Sequence, residues 1–353
     1  MIKVLGLALY GPLAASTRYR LGQYVDGLAG FGIDLQIRHL LGDDYLRRRF
    51  AAAPLQLAPM LQAGVARLGD LWQQDYFNVA MLHCELFPLL PGWLECVLLR
   101  KPYVYDFDDA FYLRYKTGRM GLARPVLGGK FDTVMEGAAA VTAGNRVLAQ
   151  YAGQHNASTQ YLPTVVDTER YRPEPERRGK DVFTVGWIGS PSTAPYLAEI
   201  AAPLSMIAQE GTVRLVVIGG KAPAVPGVEV IEIAWSESAE VDLINSFDVG
   251  VMPLPNDEWA RGKCAFKLIQ YMACAVPVVA SPVGANVDLV TGESGFLAST
   301  PEEWAEAFRV LRDQPRKRAE MGLAGRERVD QHYSLRVNLP VLAGVLQQAA
   351  GAN

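Results

Sequence analysis

The sequence predicts an α/β protein built from two doubly wound domains of similar size. Three observations lead there. The chain has 353 residues, more than one core usually holds, so about two domains are expected. Short β-branched runs alternate with helical periodicity through both halves, the pattern of parallel sheets with crossover helices. Between the halves lies TVVDTERYRPEPERRGKD (164–181), charged, proline-bearing and without an apolar period, which reads as a linker. The expected boundaries are 1–163, 164–181 and 182–334, with 335–353 forming a C-terminal helix that packs back toward the N-terminal domain.

In the first half, strands are expected at 2–10, 33–39, 79–83, 102–107, 139–142 and 161–163. Helices are expected at 18–29, 43–72, 86–99, 131–137 and 147–152. The opening MIKVLGLALYGPLAAS resembles a signal peptide, but Arg18 and Arg20 follow at once in a helical pattern, so it reads as a first strand. In the second half, strands are expected at 182–188, 213–219, 228–233, 248–253, 276–280 and 295–297. Helices fall at about 196–209, at 237–245 and 266–274, from 301 to about 329, and at 335–349. Ligands in such sheets bind beyond the carboxyl ends of the strands, and two domains of this kind place a cleft between those ends.

Composition narrows the function. Half the residues are apolar, a fifth are charged, and the net charge is -3. That balance excludes non-specific nucleic-acid binding, which needs a basic face. Cys84, Cys96, Cys264 and Cys274 have neither metal-ligand nor disulfide-framework spacing, so a reducing cytoplasm is expected. No uncharged apolar run is long enough to span a bilayer.

Five strand-end or helix-start segments carry candidate chemistry. Gly11 to Arg20 is a flexible, hydroxyl-rich loop whose Arg18 and Arg20 suit phosphate or carboxylate, or else decorate an exposed helix face. His83-Cys84-Glu85 ends a strand; neighbouring side chains there point to opposite faces, which disfavours a Cys–His pair and leaves Glu85 as a substrate contact. Asp106-Phe107-Asp108-Asp109 crowds carboxylates at a strand end, for a divalent metal, for sugar hydroxyls, or for capping and salt bridges with Arg114 or Lys116. Gly189-Ser190-Pro191-Ser192-Thr193 precedes a helix and can hold an anion through hydroxyls and backbone amides, although it is neither a P-loop nor a dinucleotide fingerprint. Lys267 sits in the first turn of its helix, where a lysine opposes the helix dipole unless an anion joins it; a solvated surface lysine is the alternative.

These segments carry a resemblance. LPTVVDTERYRP (162–173), DVGVMP (248–253) and KLIQYMACAVPVVAS (267–281) resemble the "IPNGVD…F.P", "aDv.v.PS" and "lEAMACGkPVVas" signatures of the family 4 glycosyltransferases. The likeness is strongest over 162–300. It implies the GT-B fold, two Rossmann-like domains facing a central cleft, and transfer from a nucleotide-diphosphate-sugar with retention of configuration. The nucleotide-sugar is then a substrate, and no cofactor or metal is implied. The implied donor contacts are Gly189, Ser190, Ser192, Arg261, Lys263, Ala265, Phe266, Lys267 and Gln270. Lys267 and Asp108 are the implied catalytic positions, and Arg18, Arg20, Glu85 and Asp109 are expected at the acceptor.

The sequence departs from the family at telling places. Its two glutamates, eight positions apart, fall on Gly262 and Gln270, and its cleft histidine falls on Asp108. A glycan or lipid-linked acceptor in cell-surface polysaccharide synthesis is expected. The Arg47–Arg49 cluster offers either an acceptor contact, a peripheral approach to anionic lipid at the inner face of the membrane, or a solvated helix face. A nucleotide-sugar 2-epimerase and a non-catalytic nucleotide-sugar-binding protein are the alternatives.

Overall fold

The computed structural model describes residues 1–51, 53–116, 118–174 and 182–351. The chain divides into two compact units. The first comprises Met1–Thr164, Gly262–Cys264 and Leu335–Asn353; the second comprises Val165–Arg261 and Ala265–Ser334.

The first unit is built on β1 (Ile2–Tyr10), β2 (Ile33–Leu41), β3 (Val79–His83), β4 (Tyr103–Phe107), β5 (Ala140–Ala143) and β6 (Thr159–Tyr161). They form one sheet in the order β2-β1-β3-β4-β5-β6, with every pair parallel. VAMLH and YVYDF are buried at every position, as expected for central parallel strands covered on both faces. The strand order reverses between β1 and β3, so the loops after those two strands open at the switch point. The expected long helix 43–72 is two helices, Asp43–Phe50 and Leu57–Trp72. Pro54 lies in the break, where its ring and missing N–H end helical pairing. The helix Leu335–Gly351 contacts β1, β3 and β4 of this unit.

The second unit holds β7 (Phe183–Ile188), β8 (Val213–Ile218), β9 (Glu229–Ile233), β10 (Val249–Met252), β11 (Val278–Ala280) and β12 (Gly295–Leu297). Their order is β12-β11-β10-β7-β8-β9, again parallel throughout, with the reversal between β7 and β10. Its core packs Trp187, Leu197, Leu204, Leu215, Val249 and Phe308 around the sheet. The expected helix from 301 to about 329 is likewise divided, into Pro301–Asp313 and Pro315–Arg328, because Pro315 opens the second.

The segment read as a linker behaves otherwise. From Val165 onward it belongs to the second unit, with Val165, Val166 and Tyr171 fully buried. Val166 pairs with Ser334, and Arg326 donates to the carbonyls of Thr168 and Tyr171. Apolar residues without a period read as an exposed tether, but here they are tied down one by one. Residues 175–181 of the expected linker lie outside the described residues. Among the described residues, no helix is long and apolar enough to cross a membrane.

Candidate functional site

In the second unit, β7 runs into the Gly189–Thr193 loop at the switch point. Gly189 is required by close approach: a Cβ there would lie 2.5 Å from the Trp187 ring and 2.7 Å from Lys267 Cε. Lys267, at the start of the helix Phe266–Ala273, donates from Nζ to Thr193 Oγ1 at 3.2 Å and stands 4.7 Å from the centre of the Trp187 ring. Thr193 Oγ1 in turn donates to the Ser190 carbonyl, and the Ser190 and Ser192 hydroxyls are 2.8 Å apart. The helix has no side-chain cap, and its N-cap residue, Ala265, is held in the left-handed conformation at φ 54°. A lysine, a hydroxyl-bearing loop and an uncapped helix start therefore converge, a donor set matched to an anion.

Two other expected donor contacts are engaged inside the same unit. Gln270 is 3 % exposed and donates from Nε2 to Tyr171 Oη at 3.0 Å; the Tyr171 hydroxyl donates to Glu240, which also accepts from Trp235 Nε1 at 2.6 Å. Gln270 is thus a strut in a buried chain of hydrogen bonds, which corrects its reading as an open ligand contact. Phe266 is half-buried, and exposed Arg261 donates from Nε to Asn256 Oδ1 at 2.9 Å.

In the first unit, Asp106 ends β4 with both carboxylate oxygens occupied. Oδ1 accepts from Thr142 Oγ1 at 2.6 Å and from Arg20 Nη2, and Oδ2 accepts from Arg20 Nε at 3.0 Å and from His83 Nδ1 at 2.8 Å. Burial raises the Asp106 pKa, but the Arg20 guanidinium and the His83 hydrogen bond outweigh it and hold the carboxyl well below its ordinary range. Burial opposes charge on His83, while Cys84, the bond to Asp106 and nearby Asp108 push its pKa well above the usual value. His83 Nε2 points on toward Asp108 Oδ1 at 3.9 Å, and the Asp108 side chain is partly open to solvent. With Asp106 saturated, the metal reading of Asp-x-Asp loses one of its two carboxylates.

Arg20, expected to contact an acceptor, is 1 % exposed and also donates from Nη1 to the Leu162 carbonyl at 2.7 Å. Glu85 is corrected on the same ground: Lys130 Nζ at 2.7 Å, Tyr115 Oη at 2.8 Å and Arg114 enclose it. Both are ion pairs of the interior. Arg18 donates to the carbonyls of Pro12 and Leu13 and so shapes the loop after β1.

The Gly262–Cys264 segment is threaded into this first unit. Lys263 Nζ stands 3.4 Å from Asp109 Oδ2, the Lys263 carbonyl accepts from Asn145 Nδ2 at 3.0 Å, and Cys264 Sγ lies 3.0 Å from the Asp108 carbonyl. Burial, the largest cause, raises the Asp109 pKa; Lys263 opposes it and Asp108 adds to it. A Cβ on Gly262 would come within 2.6 Å of Ala110 Cβ and 2.8 Å of its backbone nitrogen, so the absence of glutamate there follows from packing. Within each unit the structure thus joins Gly189, Ser190, Ser192, Ala265 and Lys267, and separately Asp108, Asp109 and Lys263. Sequence reasoning missed Trp187, whose one local signal is adjacency to a strand end.

Comparison with known proteins fits this geometry. Residues 179–314 match the model of the family described as Glycosyl transferases group 1. No curated protein matches the chain. Among solved structures, HepE from Anabaena in complex with UDP and glucose is similar at a TM-score of 0.70 and 15 % identity, covering 98 % of this chain and 100 % of that one. A sucrose-phosphate synthase from Thermosynechococcus elongatus follows at 0.68 and 14 %, with full coverage of both chains. A glycosyltransferase from Rickettsia africae stands at 0.70 and 9 %, covering 100 % of this chain and 99 % of that one. The fold, two parallel α/β units with these strand orders, is the GT-B fold.

Proposed function

We propose that the protein is a retaining glycosyltransferase that moves a sugar from a nucleotide-diphosphate-sugar to a glycan or lipid-linked acceptor in cell-surface polysaccharide synthesis. The observation that carries this is Lys267 beside the Gly189–Thr193 loop and the uncapped start of its helix, inside the segment matching Glycosyl transferases group 1. A solved neighbour at 15 % identity holds UDP-glucose, which makes a uridine donor the first to try.

In this mechanism the bond from sugar C1 to the diphosphate oxygen breaks, and its electron pair leaves on the diphosphate. Lys267, the loop hydroxyls and the helix amides stabilise that charge. The acceptor oxygen then bonds to C1 on the face just vacated, and its proton passes to the departing diphosphate. Asp108 accepts a hydrogen bond from a sugar hydroxyl. Lys263 and Arg261 are further proposed donor contacts, and Asp109 and Arg18 proposed acceptor contacts; Arg20 and Glu85 are not, because they are enclosed. No metal is required for this charge balance.

The test is incubation with a panel of nucleotide-sugars, with and without manganese and chelator, following release of nucleoside diphosphate. Slow hydrolysis of one donor, unchanged by chelator, is expected. Binding without release favours the non-catalytic alternative, for which the Gly262 and Gln270 replacements speak. Activity only with manganese would overturn the metal-free scheme.

A further inference from the structure

The helix Leu57–Trp72 turns an apolar stripe outward, although Leu71, Met60 and Ala63 already serve its inner face. Leu57, Leu61, Val65, Leu68 and Trp72 recur at helical spacing and are 75 %, 72 %, 70 %, 51 % and 84 % exposed. The opposite face carries Arg67, fully buried, donating to the carbonyls of Ala8 and Arg38, with burial pulling its pKa down to about 10. The outward positions of this helix hold no charged residue.

A second helix repeats the arrangement. In Gly92–Leu98, Trp93 and Val97 face outward, 61 % and 68 % exposed, while Glu95 is buried against Lys130 at 2.9 Å. The two helices meet at one corner, where Gln74 Nε2 donates to the Leu98 carbonyl and Arg100 donates to the Leu71 carbonyl. Two apolar stripes ending in tryptophan therefore share one side of the unit, larger than the scattered exposed leucines of an ordinary surface.

We infer that this face docks on an anionic lipid bilayer. The argument for that occupant is charge. The chain is net -3, yet the stripes are rimmed by Arg47 and Arg48 at one end, with exposed Arg49 next on the same helix, and by Arg100 and Lys101 at the shared corner. Against these five cations stand Asp44, paired with Arg47, and Asp75, near Arg100 and Lys101. Asp43 is turned onto the Leu13 amide and Asp70 onto Arg38. A second copy of the chain would bring two cationic rims together, whereas anionic headgroups neutralise them. Beside the stripe, a hollow of about 860 Å³ sets Arg47 and Arg48 across from Met60 and Ala63, room for a phosphate and the first methylenes below it. Leu, Val and Trp at the acyl boundary with arginines at headgroup level is the chemistry of an interfacial helix. The inference deepens the lipid-linked acceptor reading, and its test needs no transfer activity.

The full chain is mixed with vesicles of phosphatidylcholine alone or with phosphatidylglycerol added, and pelleted. Binding is expected on the anionic vesicles, weakened by salt, with a blue shift of tryptophan emission that the Trp72→Phe variant loses in part. Leu61→Asp with Val65→Asp, both at exposed positions, lowers partitioning by about tenfold or more. Neutralising each of Arg47, Arg48 and Arg49 to Gln lowers it by about fivefold on anionic vesicles only. Absence of binding to either vesicle overturns the inference, as does binding indifferent to the paired aspartates. A concentration-dependent dimer that the same aspartates dissolve, without vesicle binding, also overturns it and gives the face to a second copy. Calorimetry with UDP-glucose on the same variants keeps the outcomes separate, because donor binding in the second unit is expected to be unchanged by them.

Discussion

The two units put their charges in opposite places. The second buries one carboxylate, Glu240, in its hydrogen-bond chain and wears most of its other ions outside, as in the Arg309–Glu210 and Arg316–Glu320 pairs. The first buries Arg20–Asp106, His83, Glu85–Lys130, Glu95 and Arg67 while exposing leucines and tryptophans. The same strand arithmetic thus supports two surface chemistries. An interior ion pair holds one relative orientation of its elements, since its partners have no equivalent alternative. An outward apolar stripe gains nothing in water, and the bilayer proposed above is the solvent that would cover it.

The largest effect should come from unpairing an interior charge. Arg20→Met leaves Asp106 buried with only His83 and Thr142, and is expected to destabilise the first unit by about 3–5 kcal/mol in urea unfolding. Arg20→Met with Asp106→Leu should recover most of that loss, because no uncompensated charge remains. Arg309→Ala in the second unit should cost far less, as a solvent-screened pair does. Equal costs in the two units would erase the contrast.

Next comes Lys267→Ala. Its Nζ reaches the Thr193 hydroxyl and the Trp187 ring face, and donor turnover should fall by about a hundredfold, the effect of removing one donor aimed at developing negative charge, with a smaller change in stability. Thermal melting and nucleoside diphosphate release measure the two. Turnover kept at its native rate would place the diphosphate elsewhere.

The sequence showed all twelve strands, the sixth displaced from the expected 161–163 to Thr159–Tyr161, because buried β-branched runs are a local signal, and it singled out Lys267 as a candidate, because a lysine in a first turn is local too. It did not show which charged residues turn inward. Arg20 finds Asp106 and Leu162 far along the chain, and Glu85 finds Lys130 after an intervening strand and helix. Read alone, such residues look like open functional side chains. Periodicity likewise gives the helix Leu57–Trp72 two faces without saying which one faces the sheet. The buried Val165, Val166 and Tyr171 escaped for the same reason: three apolar contacts made at separate points leave no period to detect.

A smaller effect is expected from placing a glutamate at position 262, where the glycosyltransferases this chain resembles carry one. In Gly262→Glu the new Cβ meets Ala110, including its backbone nitrogen, so the segment must shift at a cost of about 1–3 kcal/mol. Donor hydrolysis should fall, not rise. A gain in turnover without loss of stability would mean that glycine here is an accident of drift and not a packing requirement.

The smallest effect is a pH dependence confined to the first unit. The folded pKa of His83 lies well above its ordinary 6.5, so the stability contributed by the charged ring is complete below that value and drains away as pH climbs through the folded one. Asp106 is displaced downward, so its contribution is present above its ordinary 3.8 and is lost only as pH falls through its folded value. The charged groups facing the ring are Asp106 and Asp108, with Arg20 behind Asp106, and Cys84 adjoins it. Burial raises the Cys84 thiol above 9.0, so its own effect begins higher. Between those limits, unfolding free energy should decline by about 1 kcal/mol for each pH unit above 6.5. His83→Gln keeps a hydrogen bond to Asp106 but cannot titrate, and the difference between native and variant curves cancels the second unit. A flat difference would show that His83 is neutral in the folded protein and that Arg20 alone supplies the positive charge facing Asp106.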